Sequence, residues 1–218
     1  MQRSMSKTED RKPQEITKRF AILVEGPDDR CFFQAACEHL KLKEVDIVPV
    51  GGKDGFAASL KSTAGIDDCE KILLVRDADN NANGALQSLQ DALRQKKFPF
   101  PSKAFEWKTD AGLPHVAIAI MPGPNEDGSL QKGALEDLYI TVRMEKDKIC
   151  KCVDDFLKCC RGKNPSLKIT SKSKVSAFLA AQYADLRLGE AIAKDFDWSH
   201  EALKPIMQLL EAFSSNSG

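Results

Sequence analysis

The chain has 218 residues, enough for one sizeable hydrophobic core with an appended segment. Its 32 Lys and Arg residues balance its 32 Asp and Glu residues, so no overall positive charge marks a general nucleic-acid binder. No apolar run approaches the ~20 residues of a membrane-spanning helix, and the charged first residues lack the apolar core of a secretory signal. With seven cysteines and no such signal, we expect a reduced, cytoplasmic setting without disulfides.

The first strand is predicted at residues 20–24, after a polar stretch at 1–17 that is typical of a flexible arm. Five apolar residues end abruptly at Glu25, followed by glycine and proline, as in a short buried strand. Proline suits the first position of a helix, and apolar residues then recur at helical spacing. Glu25 therefore falls at the carboxyl end of a strand, and Asp29 falls in the first turn of the next helix. Open α/β sheets bind ligands at that edge.

A second strand is predicted at 45–50, followed by the turn Gly51-Gly52-Lys53-Asp54-Gly55 and a short helix. A Gly-Gly-Lys turn invites comparison with a phosphate-binding loop. The Gly-x4-Gly-Lys-Ser/Thr pattern of that loop is missing, so the sequence favours an ordinary turn.

A third strand, at 71–77, also ends in acid, with Asp77 and Asp79 at positions that face the same way. If both acidic strands lie in one parallel sheet, Glu25, Asp29, Asp77 and Asp79 converge at one edge. Carboxylates so close together repel, and either their pKa values rise or a cation neutralises them. Oxygen ligands suit Mg²⁺ or Mn²⁺ rather than zinc, and such sites typically serve phosphoryl chemistry.

The remaining pattern divides the chain into two parts. A helix is predicted at about 85–96 and a strand at 115–121, and this alternation favours a mostly parallel sheet. Beyond residue 130 only helical patterns occur, near 135–139, 149–160, 175–183 and 203–213. We therefore predict an α/β core at 18–125 and a helical extension at 126–218 that packs on it.

These motifs carry a resemblance to a known domain. A strand followed by Glu-Gly-x-x-Asp (Glu25, Gly26, Asp29) and a strand ending in Asp-x-Asp resemble the TOPRIM domain. That domain serves topoisomerases, primases, the OLD nucleases and a ribosomal-RNA maturation nuclease. The segment from Gly133 to Asp137 is similar to the later acidic motif of the OLD-type branch. The resemblance covers residues 18–140 and is greatest to small stand-alone OLD-like TOPRIM proteins of poorly defined function.

The resemblance implies an α/β TOPRIM sheet, flanked by helices, that cleaves a phosphodiester bond of DNA or RNA with Mg²⁺ (or Mn²⁺). Glu25 would act as general base or metal ligand, and one or two metals would be held by Asp29, Asp77, Asp79 and Glu136. OLD-type nucleases also use a lysine late in the domain, a part that Lys174, or else Lys172, would take.

The residues leave some alternatives open. The helix macrodipole alone favours an acid at Asp29, and Glu136 also fits an ordinary helix surface. Ten Lys or Arg residues against four acids between Arg143 and Lys174 fit a solvated face or a phosphate-tracking surface. Four cysteines lack metal-binding spacing and are predicted to be free thiols: Cys150, Cys152, Cys159 and Cys160. The alternative function is a non-catalytic, metal-binding regulatory or adaptor protein in a defence or RNA-processing assembly.

Overall fold

A single sheet organises the described part of the chain, residues 15–183 and 185–214 of a computed structural model. The strands are β1 (Phe20–Val24), β2 (Val45–Pro49), β3 (Lys71–Asp77), β4 (Trp107–Lys108) and β5 (His115–Met121). Within the described residues they lie in the order β2-β1-β3-β5-β4. All neighbours are parallel except β4, which runs antiparallel to β5. The predicted α/β class with a mostly parallel sheet is confirmed.

Helices cover both faces of this sheet. The first three join the strands: α1 (Pro27–His39), α2 (Phe56–Ser62) and α3 (Ala82–Lys96). The C-terminal region contains α4 (Leu135–Tyr139), α5 (Lys148–Lys163), α6 (Ser171–Tyr183), α7 (Leu188–Lys194) and α8 (Lys204–Glu211). A π-helical stretch, Ile140–Met144, continues α4, and short 3₁₀ turns occupy Ile66–Asp68 and Glu201–Leu203.

Alternation along β1 explains why this strand is apolar throughout. Phe20, Ile22 and Val24 belong to a core shared with α1 and the C-terminal helices. Ala21 and Leu23 belong to a second core shared with α2 and α3. Because a strand in the middle of a covered sheet is buried on both faces, it needs apolar residues at every position.

The C-terminal helices belong to the same core as the sheet. Phe178, Ile192 and Phe213 are buried with residues of β1, and the Phe213 ring stacks on Phe20 at 5.1 Å. The ammonium of Lys71, at the start of β3, donates a hydrogen bond to the carbonyl of Ala212. The described residues after 126 therefore pack on the sheet instead of forming a separate unit.

The N-terminal arm predicted for 1–17 falls mostly outside the described residues, which begin at Glu15. Ile16 is buried, and its N–H donates to the carbonyl of Ala64 at 2.9 Å. Gly65, the residue after Ala64, has no room for a side chain, because a Cβ there would lie 2.2 Å from the Ile16 carbonyl oxygen. The chain is therefore fixed to the core from Ile16 onward, earlier than predicted.

Two elements were not predicted from the sequence. β4 contains two residues, too few for a periodic pattern. α7 contains Gly189, which normally weakens a helix. A Cβ at Gly189 would lie 2.4 Å from the Cβ of Cys31, so glycine is what allows α7 to pack closely on α1. Gly189, which makes α7 difficult to predict from the sequence, is thus required for the packing of α7 on α1.

Candidate functional site

Glu25 lies directly after β1, at the carboxyl edge of the sheet. Its Oε1 atom accepts a hydrogen bond from the N–H of Asp77 at 3.3 Å and lies 3.5 Å from Nε of Arg76. Its side chain is only 18% exposed. Burial raises the pKa of Glu25, the nearby Arg76 opposes the rise, and Asp79 adds to it.

Asp29 occupies the first turn of α1, which Pro27 helps to begin. Its Oδ2 atom accepts a hydrogen bond from the N–H of Gly26 at 2.9 Å, so Asp29 also caps the helix. The residue is 9% exposed. Burial raises the pKa of Asp29 to about 7, and repulsion from Glu25 and Glu136 contributes to the rise. Asp29 thus caps α1 and also belongs to the acidic edge, the group of carboxylates at the carboxyl edge of the sheet: Glu25, Asp29, Asp77 and Glu136.

Asp77 ends β3, next to Glu25 and across from the start of α4. Its Oδ1 atom accepts a hydrogen bond from the N–H of Leu135 at 3.2 Å. Burial raises the pKa of Asp77 to about 8, and the charges of Asp29, Glu25 and Glu136 all add to the effect. Asp77 is therefore half-buried within electrostatic reach of three other carboxylates.

Asp79 has a different environment from Asp77. Its side chain is exposed. Its backbone adopts the left-handed conformation, with φ of +48°, which Asp tolerates better than most residues. Its backbone pairs with Gly133, each N–H donating to the other's carbonyl at 2.8 Å. Asp79 therefore attaches the start of the α4 segment to the end of β3.

Gly133 and Asp137 shape the start of α4, the helix that contains Glu136. Gly133 has φ of +129°, and a Cβ there would lie 2.6 Å from Oδ2 of Asp137. Asp137 caps α4 by accepting the N–H of Ala134 at 2.8 Å, and it also accepts the hydroxyl of Ser171. Glu136, one position earlier, is the acid of α4 that raises the pKa values of both Asp29 and Asp77.

The carboxylates at this edge suit a hard divalent cation by their chemistry. The charges of Glu25, after β1, and Glu136, on α4, both raise the pKa values of Asp29 and Asp77. The donor atoms are all oxygen, the ligand type preferred by Mg²⁺ and Mn²⁺, and a cation would relieve the repulsion that adds to the effect of burial on the pKa values of Asp29 and Asp77.

The side chains are not arranged as a closed ligand shell. Over residues 15–183 and 185–214, no three His, Cys, Asp or Glu side chains are grouped closely enough to hold a metal ion. Three of the acids are instead held at separate places by backbone N–H groups of Asp77, Gly26 and Leu135. Metal binding at this edge stays a prediction, and it requires these side chains to move closer together.

The two candidate lysines occupy different places on α6. The ammonium of Lys174 lies 2.9 Å from Oδ1 of Asp154 on α5, in an ion pair that links the two helices. Lys172 lines a cleft of about 330 Å³ that it shares with Glu136 and Arg187. The structure thus brings Lys172 beside the acidic edge and joins Lys174 to a neighbouring helix.

Arg76 is a site residue that the sequence did not indicate. It stands next to last in β3, where its side chain is 12% exposed and pairs with Glu25. The only local signal in the sequence was the position of Arg76, a positively charged residue between an apolar run and Asp77. Its meaning depends on the pairing of β1 with β3, which places residues about fifty positions apart side by side.

The cysteines are all free thiols. Cys150 is buried on α5, whereas Cys152 and Cys159 on the same helix are exposed. Burial raises the pKa values of Cys37 and Cys69 to about 12, so these two thiols stay protonated and unreactive. Separately, no helix among the described residues has the length and apolar character needed to cross a membrane.

The chain is thus an α/β protein with a mostly parallel sheet, and carboxylates lie along the carboxyl edge of that sheet. Residues 19–215 match the family DUF3226, described as "Protein of unknown function". The chain therefore belongs to the DUF3226 family. No curated protein matches it.

Solved structures with a similar fold include C-terminal regions of two OLD proteins. That of Burkholderia pseudomallei is 13% identical, with a TM-score of 0.47, over 91% of this chain and 100% of that one. That of Xanthomonas campestris pv. campestris is 14% identical, with a TM-score of 0.44, over 91% of this chain and 98% of that one.

Proposed function

We propose that this chain is an OLD-like TOPRIM enzyme that cleaves phosphodiester bonds of DNA or RNA with Mg²⁺ or Mn²⁺. The observation that carries the proposal is that Asp29 and Asp77, buried and half-buried at one sheet edge, lie close enough to Glu25 and Glu136 for these charges to raise their pKa values further. Repulsion among them makes the edge costly to keep charged unless a cation binds. The order and spacing of the acidic motifs, which resemble those of TOPRIM proteins, support the same function.

The acids at the edge would have two roles, metal binding and general-base catalysis. Asp29, Asp77, Asp79 and Glu136 would hold the metal, which when bound orients water and neutralises charge that develops on the phosphate. Glu25 would serve as a further ligand or as general base. Its pKa is already raised by burial, and a base works best when its pKa is near the working pH.

The cleft between α6 and α7 gives the substrate a path to this edge. The cations that line it are Lys172 and Arg187, and the acids are Asp28, Glu136 and Asp185. Neither cation has an ion pair with any described residue. Two unpaired cations beside an acidic edge are suited to the phosphates that flank a scissile bond.

The two lysines are expected to respond differently to substitution. Lys172→Ala should slow cleavage more than Lys174→Ala, because Lys172 shares the cleft with Glu136. Lys174→Ala should mainly lower the melting temperature by a few degrees, since a partly exposed ion pair is worth up to about 1 kcal/mol.

Initial cleavage rates and melting curves measure both effects, with exposed Lys168→Ala as the matched control. Strong loss of cleavage in Lys174→Ala with unchanged melting would instead assign the catalytic lysine to Lys174.

The function itself is tested by turnover of end-labelled single- and double-stranded DNA and RNA. The wild-type protein should cleave at least one substrate with Mg²⁺ or Mn²⁺ and none with EDTA. A mock preparation without the protein controls for contaminating nucleases. No turnover on any substrate, in a protein shown to bind metal, would contradict the enzymatic proposal.

That negative result would favour the second candidate, a non-catalytic regulatory or adaptor protein in a defence or RNA-processing assembly. One observation favours this candidate: the acids are held by backbone donors, and Glu25 is paired with Arg76. In such a protein, bound metal would stabilise the edge or a partner interface without turnover.

A further inference from the structure

We propose that Arg76 and Lys53 form a phosphate-binding subsite beside the acidic edge, and that Glu25 closes this subsite until a metal draws Glu25 away. The inference rests on the proposed function and deepens it, because it names where a substrate phosphate binds and in what order.

The geometry of Arg76 is the first support. Its Nε atom is buried and has no hydrogen-bond partner among the described residues, although Oε1 of Glu25 lies 3.5 Å away. A guanidinium carries five N–H donors in a planar fork, and a buried donor without a partner is costly. The pair is thus close enough for charge attraction but does not satisfy the arginine. A ligand with well-placed oxygens would do so.

Strand alternation gives the subsite its own side of the sheet. Val75 lies in the core shared with α1, so Arg76, the next residue of β3, follows on the face toward α2 and α3. Asp77 returns to the α1 face, where Asp29 and Glu136 act on it. The cation of Arg76 is therefore separated from the three-acid side by the strand itself.

Lys53 supplies a second positive charge near Glu25, the partner of Arg76. The N–H groups of Gly51 and Gly52 donate to the main-chain carbonyl of Glu25 at 3.2 and 2.9 Å. This fixes the turn that carries Lys53 against the end of β1. Lys53 is exposed, has no ion pair with any described residue, and is close enough to lower the pKa of Glu25. It is therefore available to an incoming anion.

The ligand that fits these groups is a phosphate diester of a nucleic-acid strand. A guanidinium fork matches two phosphate oxygens, and a lysine adds a point charge. While Glu25 holds Arg76, the phosphate and the carboxylate compete for the same guanidinium. A divalent cation that binds Glu25 removes this competition, so metal binding prepares the subsite for the substrate.

A double-mutant cycle tests this competition without metal or cleavage. The probe is a fluorescently labelled single-stranded DNA oligonucleotide in EDTA, and its affinity is measured by anisotropy. Glu25→Gln should bind about tenfold more tightly than wild type, because the freed arginine gains a charged hydrogen bond to phosphate. Glu25→Gln/Arg76→Gln should lose that gain. Glu25→Gln/Arg76→Lys, which keeps the charge without the fork, should retain part of it.

Asp79→Asn is the control for simple loss of negative charge at the edge. Its gain in affinity should be similar with and without Arg76, since Asp79 has no ion pair with the arginine among the described residues. Arg76→Gln alone leaves Glu25 buried without its partner and risks misfolding. The comparison is therefore made in the Glu25→Gln background, where loss of Arg76 leaves no buried carboxylate without its partner.

Two outcomes would overturn the inference: no gain in Glu25→Gln, or a gain that persists fully in Glu25→Gln/Arg76→Gln. The result is separable from the turnover assay. If the protein cleaves nucleic acid but the double-mutant cycle shows no Arg76-dependent gain in affinity, Arg76 is only a counter-ion of Glu25. A positive cycle without cleavage would establish a nucleic-acid-binding subsite in a protein that does not cut.

Discussion

Asp77→Asn should raise the melting temperature of the metal-free protein, and the gain should grow as the pH rises from about 5 to about 9. Asp77 has a pKa of about 8 in the folded protein, whereas an unfolded Asp titrates near 3.9. The folded state thus holds a proton that the unfolded state has already lost. Stability is greatest below the unfolded pKa and falls until the pH passes the folded pKa.

Asparagine removes this loss and keeps an oxygen that accepts the N–H of Leu135. A relief of about 2 kcal/mol would raise melting by about 4–8 °C in a chain of this size. Differential scanning calorimetry across the pH range measures it, with Asp91→Asn on the surface of α3 as the control. A variant that melts below wild type, or in parallel with it at every pH, would show that Asp77 carries no such penalty.

Glu25→Gln should reduce the rate of metal-dependent cleavage by about 10²–10⁴, the contribution of a general base, and by more if Glu25 is also a ligand. The substitution preserves shape, and the glutamine oxygen still accepts the N–H of Asp77. The fold should therefore survive, and circular dichroism and melting curves verify this. Cleavage at the wild-type rate would exclude Glu25 from the chemistry.

The edge was predictable where its signals are local. Glu25 follows a run of five apolar residues, and Asp77 ends another. In a covered sheet such runs mark central strands, and a parallel sheet brings their carboxyl ends together. This reasoning led from the sequence to an edge at which the charge of Asp29 raises the pKa of Asp77.

Features that depend on long-range pairing were not predictable. Arg76 became a partner of Glu25 only because β1 and β3 are neighbours in the sheet. Lys172 and Lys174 are two positions apart on one helix, yet one lines the cleft and the other pairs with α5. A lysine-rich sequence does not reveal which ammonium is already paired, because that depends on where Asp154 lies.

Two acids near the edge, Asp29 and Asp137, both cap helices but differ in their other contacts. Asp29 and Asp137 each accept a backbone N–H three residues earlier, at the start of α1 and of α4. Asp137 is further engaged by Ser171, whereas Asp29 is buried beside the other carboxylates. The same sequence feature, an acid in a first turn, thus serves structure alone in one case and structure with the edge in the other.

The most direct test of the metal edge is the number of Mn²⁺ ions bound per chain, measured by electron paramagnetic resonance of free Mn²⁺. The titration belongs at about pH 8.5, where the raised carboxyl groups are mostly ionised and able to bind. Wild type is expected to bind at least one Mn²⁺ per chain, and Asp29→Asn/Asp77→Asn should lose that site. Wild-type protein that binds no Mn²⁺, or a double variant that binds as much as wild type, would contradict a metal site at this edge.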